Sequence, residues 1–179
     1  MKKYYFNQPL FKNNTEKKPI IDDEGKILGY IQRIFSNKPH FIFGLIVNDL
    51  FLHLNVYDEH NRLIIKIREK LNLSIKDIFR SKWEYTNIKF PNKIQKLKDE
   101  TMIKTNPSII FEFNDEIYRI NGDIGDRTIR VFNEDNRIIA TINAYKIVPT
   151  KSVEIKLYEE NGVDILTLCA FYYLFDLNR

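Results

Sequence analysis

The stretch that most constrains this chain runs from Asp164 to Asp176, where Thr167 is the only conventionally polar residue between the two aspartates. An amphipathic surface helix shows a polar stripe every three or four residues, and none occurs here. A helix that is apolar all round must be enclosed by protein or by lipid. A run of this length reaches roughly 20 Å as a helix, short of the roughly 30 Å hydrocarbon layer of a bilayer. Enclosure by the rest of the chain is therefore the expectation. Asn161-Gly162 is a turn signal ahead of the run, and Asp164 carries the short acceptor side chain that caps a helix N-terminus. A buried β-strand is the competing reading, since Phe171-Tyr172-Tyr173 suits a strand as well.

The rest of the chain reads mainly in period two. Leu52, Leu54 and Val56 alternate with Phe51, His53, Asn55 and Tyr57; Leu63, Ile65 and Ile67 alternate with Ile64, Lys66, Arg68 and Lys70. Val153, Ile155 and Leu157 alternate with Glu154, Lys156 and Tyr158, and Ile138, Ala140, Ile142 and Ala144 are expected to share one face. Such patterns mark half-buried antiparallel strands. Three turns between them share a form: Asp22-Asp23-Glu24-Gly25-Lys26, Asp58-Glu59-His60-Asn61-Arg62 and Asn133-Glu134-Asp135-Asn136-Arg137. In each, Gly or Asn stands where a left-handed residue is wanted, a base follows, and an apolar strand resumes. Their first residues stand 36 and then 75 residues apart, about one and two periods. Repeated hairpins in one closed or nearly closed sheet are implied, and closure removes exposed edges. The rhythm breaks between Leu71 and Asn106. There, Leu71 to Arg80 reads as a short helix capped by Ser74, and Lys89 to Glu100 as a basic loop with a helical turn. With 179 residues, the expectation is a single domain over 1–179 with a basic excursion at about 71–106.

Many antiparallel hairpins followed by one apolar C-terminal segment resemble the tubby C-terminal-like superfamily, which includes the LURP-one-related proteins and the phospholipid scramblases. The residues that carry the resemblance are Ile120-Asn121-Gly122-Asp123-Ile124-Gly125-Asp126, the turn Asn133 to Arg137, Val163-Asp164-Ile165-Leu166, and the early turn Asp22 to Gly25. Small bacterial tubby-like proteins of this length look closest. The resemblance implies a mainly β fold, a closed antiparallel barrel of about 12 strands around a central hydrophobic C-terminal helix. It also implies a non-enzymatic binding module for anionic lipid headgroups. Ala140 and Ala144 are small enough to let a strand lie close to such a helix.

Charge supports the same direction. Net charge is +4, but Arg62 to Lys104 holds 12 basic against 5 acidic residues, whereas Thr105 to Arg179 holds 8 against 12. The middle third is the place for an anionic partner. Alternation puts Lys66, Arg68 and Lys70 on one outer face, with Lys82 and Lys89 nearby, and these five are the expected anion-binding residues. Lys93, Lys96 and Lys98 extend the patch, and Trp83, Tyr85 and Phe90 are interleaved with it as candidate interface aromatics. The partners this suits are anionic phospholipid headgroups or, alternatively, an acidic protein surface met by an interaction or structural domain. Nucleic acid is disfavoured because no recognised motif accompanies the charge.

Chemistry of other kinds finds little footing. His53 is expected on the polar face of its strand and His60 in a turn, neither placed as a ligand, and His40 stands alone. Asp123 and Asp126 flank Gly125 as a tight turn would. The acidic turns are too short to offer calcium its six to eight oxygens. The lone Cys169 lies in the apolar run, where burial quenches a thiol. No phosphate loop or nucleophile elbow occurs. The expectation is no catalytic residue, no metal and no cofactor. With no signal-peptide run at Met1 to Pro9 and no segment of transmembrane length, the expected location is cytoplasmic, peripheral to the inner face of the membrane.

Overall fold

Twelve strands follow one another round a closed barrel, and each pairs antiparallel with its neighbours in sequence. They are β1 (Lys2–Pro9), β2 (Lys18–Asp22), β3 (Ile27–Ile34), β4 (His53–Asp58), β5 (Leu63–Lys70) and β6 (Lys82–Asn87). β7 (Ile94–Asp99), β8 (Ser108–Phe113), β9 (Glu116–Asn121), β10 (Thr128–Phe132), β11 (Ile138–Ile147) and β12 (Thr150–Leu157) complete it. The helix α1 (Ile165–Leu177) ends the described chain. The computed structural model describes residues 1–9, 14–35, 53–70, 82–91, 94–99, 101, 106–122, 128–147, 150–159 and 162–177. Closure is made by β1 on β12, in register from Lys2 opposite Leu157 to Pro9 opposite Thr150.

A barrel of about eight strands is filled by its own inward side chains, and twelve strands leave a wider lumen. Here α1 fills it. Ten residues of the helix are buried, on every side of its axis. Phe171 stands edge-on to Tyr85 of β6 (ring centroids 4.9 Å apart) and against Phe111 of β8 (4.4 Å), while Tyr172 meets Phe6 of β1. The stack Phe111–Tyr118 continues that contact round the wall. Close approach is made by glycine: a Cβ on Gly29 would strike the Tyr57 carbonyl and Leu166, and one on Gly122 would lie 3.1 Å from Phe175. Ala140 is also fully buried in the wall.

Because strands alternate in direction, every turn from an even to an odd strand lies at one end of the barrel. The helix enters at that same end, following β12. The three related turns sit there and are built alike. Asp22, Asp58 and Asn133 each accept a backbone N–H with the side chain from the residue four on, at 2.8, 2.8 and 2.9 Å. Gly25, Asn61 and Asn136 take positive φ of 81°, 65° and 60°, the left-handed position expected from the sequence. All three hairpins carry a bulge at the same place, before Ile21, Tyr57 and Phe132. Asn114 and Asp115, both at positive φ, form the two-residue turn between β8 and β9.

The bulges alter one face assignment. Ile138 points out and is exposed while Ile139 is buried, and the inward set resumes at Ala140 and Ile142. The excursion also differs from expectation. Residues 82–87 form strand β6, and residues 94–99, expected in a loop with a helical turn, form strand β7 of the wall. Their inward residues include Asn87, Gln95 and Asp99, so polar side chains occupy core positions and break the hydrophobic alternation. The expected helix over Leu71 to Arg80 lies outside the described residues.

Candidate functional site

The outer face of β5, β6 and β7 carries the predicted basic residues. Ile65 and Ile67 are fully buried, which turns Lys66 and Arg68 outward as alternation requires. Lys66 is exposed, set between Asn55 on β4 and Thr86 on β6. It borders a shallow depression of about 290 Å³ whose walls include Ile64, Thr86, Ile88 and Pro91.

Arg68 shares that face but is differently employed. Its guanidinium lies half-buried across β4, donating to the carbonyls of Leu54 (3.1 Å) and Ile67 (2.8 Å) and to Asn55 Oδ1 (3.0 Å). Desolvation by burial lowers its pKa, with the neighbouring Tyr57 acting in the opposite sense. Asn55 in turn donates to the Tyr57 hydroxyl, which donates to Gln32 Oε1, and Gln32 Nε2 donates to the Thr15 carbonyl. Arg68 thus anchors a polar chain across β5, β4 and β3 and contributes its charge from a fixed position. Lys17 stands 3.6 Å above the Tyr57 ring at the edge of this network and donates to Asn61.

Lys70 and Lys82 face one another in the β5–β6 register, and Lys82 faces Lys98 across β6–β7. The side chains of Lys70 and Lys82 lie outside the described residues. Lys89 follows β6 into the turn end of the barrel, where its Nζ is 3.3 Å from Asp164 Oδ2. It therefore stands beside the helix N-terminus rather than in the row with Lys66. Lys96 and Lys98 on β7 are exposed on the common face, with Glu84 of β6 opposite both Arg68 and Lys96. The sequence pattern marks the whole run as basic, but only the register shows that β7 stands two strands from β5 and faces the same way.

The aromatic residues do not belong to this face. Trp83 is 1% exposed and Tyr85 0%, both turned inward, and Phe90 packs edge-on to Phe113. Trp83 and Tyr85 alternate with outward polar residues, so the same period that exposes the bases buries the rings. Tyr85 donates its hydroxyl to the Glu112 carbonyl, and burial pushes its phenol far up, with Glu112 adding. His53 is likewise buried rather than solvated, and its Nδ1 accepts the Glu69 N–H at 3.2 Å. His60 is exposed in its turn, 3.5 Å from Glu59. His40, Asp123 and Asp126 lie outside the described residues.

Cys169 is fully buried, and desolvation raises its thiol well above the ordinary range, with Asp164 adding to the shift. Among the described residues no three His, Cys, Asp or Glu side chains converge as a metal site. Among them, too, no helix is long and apolar enough to cross a membrane. Among the described residues this face offers the exposed ammonium groups of Lys66, Lys96 and Lys98 and the fixed guanidinium of Arg68.

The described chain is a twelve-stranded antiparallel barrel threaded by its own C-terminal helix, with the helix as core. The chain belongs to the family described as Tubby C-terminal like domain, whose model matches residues 4–179. A solved X-ray structure of a protein from Arabidopsis thaliana is similar to it, with 14% sequence identity over 99% of this chain and 92% of that one and a TM-score of 0.49. A search of curated proteins finds no match.

Proposed function

We propose that this domain is a non-enzymatic module that docks on anionic phospholipid headgroups, peripheral to the inner face of a membrane, through Lys66, Arg68, Lys70, Lys82 and Lys89. The observation that carries the reading is the outer face of β5–β7. Lys66, Lys96 and Lys98 stand exposed there, Arg68 is fixed among them, and Glu84 is the carboxylate that interrupts them. Each base near an anionic surface contributes about 1 kcal/mol. The helix supports the reading from the other side: it is consumed as core, so contact with a bilayer falls to the barrel's surface. The buried, desolvated Cys169 supports a binding role over turnover.

The test is co-sedimentation with phosphatidylcholine vesicles containing graded phosphatidylserine. Wild type should bind more as the anionic fraction rises and less as salt rises. Lys66→Gln/Lys70→Gln/Lys82→Gln, which leaves the anchoring Arg68 in place, should bind roughly a hundredfold more weakly while keeping its fold. A triple variant that binds as well as wild type at low salt would make the face a solubilising one. Absence of wild-type binding at any composition would instead favour an acidic protein partner.

A further inference from the structure

We propose that Ile88 and Ile94, on either side of the β6–β7 connection, form a hydrophobic anchor that enters the bilayer interface beside the basic face, so that the barrel docks leaning on its β5–β7 side. This rests on the lipid reading above and adds an apolar element to it. After Met1, the two most exposed large apolar side chains among the described residues are Ile94 (64%) and Ile88 (62%). They are neighbours in space. Ile88 N–H donates to the Ile64 carbonyl at 2.9 Å, and Thr86, two residues before Ile88 on the same face, stands opposite Ile94.

The face is therefore ordered along the strands. From the turn end it runs from Ile64 and Ile88, through Lys66, Thr86 and Ile94, to Arg68, Glu84 and Lys96, and on to Lys98. Successive rows are about 7 Å apart, so the apolar and basic ends are separated by roughly 20 Å. Ile64 and Ile88 ahead of the bases, with Ile94 level with Lys66, whose stem can lie along apolar surface, match a bilayer with acyl chains behind anionic headgroups. The adjoining turns fix the tilt. Glu59 on one side and Asp115 and Glu116 on the other are exposed and would meet anionic lipid unfavourably if the barrel stood on its end. Leaning toward β5–β7 lowers the isoleucines and lifts the β10–β11 turn into water.

The buried Cys169 leaves an introduced cysteine as the accessible thiol for labelling. Ile88→Cys and, as control, Ile138→Cys would each be labelled with an environment-sensitive nitrobenzoxadiazole dye and mixed with phosphatidylcholine–phosphatidylserine vesicles. The label at 88 should shift to the blue and brighten severalfold, and the label at 138 should not. Ile88→Asn/Ile94→Asn should partition about tenfold more weakly while keeping the wild-type salt dependence, because the lost contribution is apolar. If wild type binds these vesicles but the label at 88 stays water-like and the double variant binds fully, the anchor is overturned and headgroup binding stands. Equal shifts at 88 and 138 would overturn the orientation. If wild type binds no vesicle, both readings fall together.

Discussion

Where α1 enters the barrel, Asp164 is a helix cap; where it leaves, Asp176 is one partner of an ion pair. At the entry, Asp164 Oδ1 accepts the Thr167 N–H at 3.0 Å and Oδ2 accepts the Thr167 hydroxyl at 3.0 Å. Its carboxylate lies at the positive end of the helix dipole, with Lys89 an exposed addition. At the exit, Asp176 lies at the unfavourable, negative end. It is held by Lys151 of β12 at 2.5 and 2.7 Å and by Gln8 Nε2 of β1 at 2.9 Å. Those two strands close the barrel, so the exit contact fastens helix and seam together. The entry is made from neighbours in sequence, whereas the Gln8–Asp176 contact spans 168 residues. Three of the turns at the entry follow the same rule, each built on an Asx side chain that accepts the N–H four residues on.

The difference predicts unequal responses to the same chemical change. Asp176→Asn strips the counter-charge from Lys151, whose side chain is only 17% exposed, and should cost about 3 kcal/mol in chemical denaturation. Asp164→Asn keeps an acceptor in capping position and should cost less than about 1 kcal/mol. Equal losses would break the comparison, because both ends would then depend on charge alone.

A smaller effect sharpens it at high pH. The Tyr173 phenol, near the exit, is pushed up to about 12 by burial, with Arg33 pulling it back and Asp176 adding to the rise. Tyr118, nearer the entry, is raised too, by burial and then by its hydrogen bond to Glu116. A folded-state pKa above the unfolded value of about 10 means the folded state holds its proton longer. Stability is then fully present below about pH 10 and declines as pH climbs toward 12, by at most about 1.4 kcal/mol per unit for each phenol. Melting temperature followed from pH 8 to 12 should fall accordingly, and Tyr173→Phe should make the fall shallower. An unchanged slope in that variant would remove Tyr173 from the exit cluster.

The same division explains what could be read in the sequence. The helix, its cap and the three matched turns are encoded by side chains acting within four residues of themselves, and all were legible. Strand β7 was not, because Gln95 and Asp99 point inward while Ile94 points out, inverting the pattern that marks a strand. His53 lies on the polar face that alternation gives it, but it is buried there rather than solvated. Of the basic residues, Lys66 could be placed from alternation alone. Arg68 could be oriented but not recognised as an anchor, since its acceptors sit on the neighbouring strand. The Ile88–Ile94 pair was invisible without the register that joins β6 to β7.

The central claim is that α1 is the core on which the barrel closes. Native-state hydrogen exchange at the amides from Leu168 to Leu174 tests it most directly. Those amides should be among the slowest in the protein and exchange only through global unfolding, with the free energy obtained by denaturation. Exchange of the helix by local opening, at a free energy well below that of the surrounding strands, would show that the barrel stands without it and contradict the account.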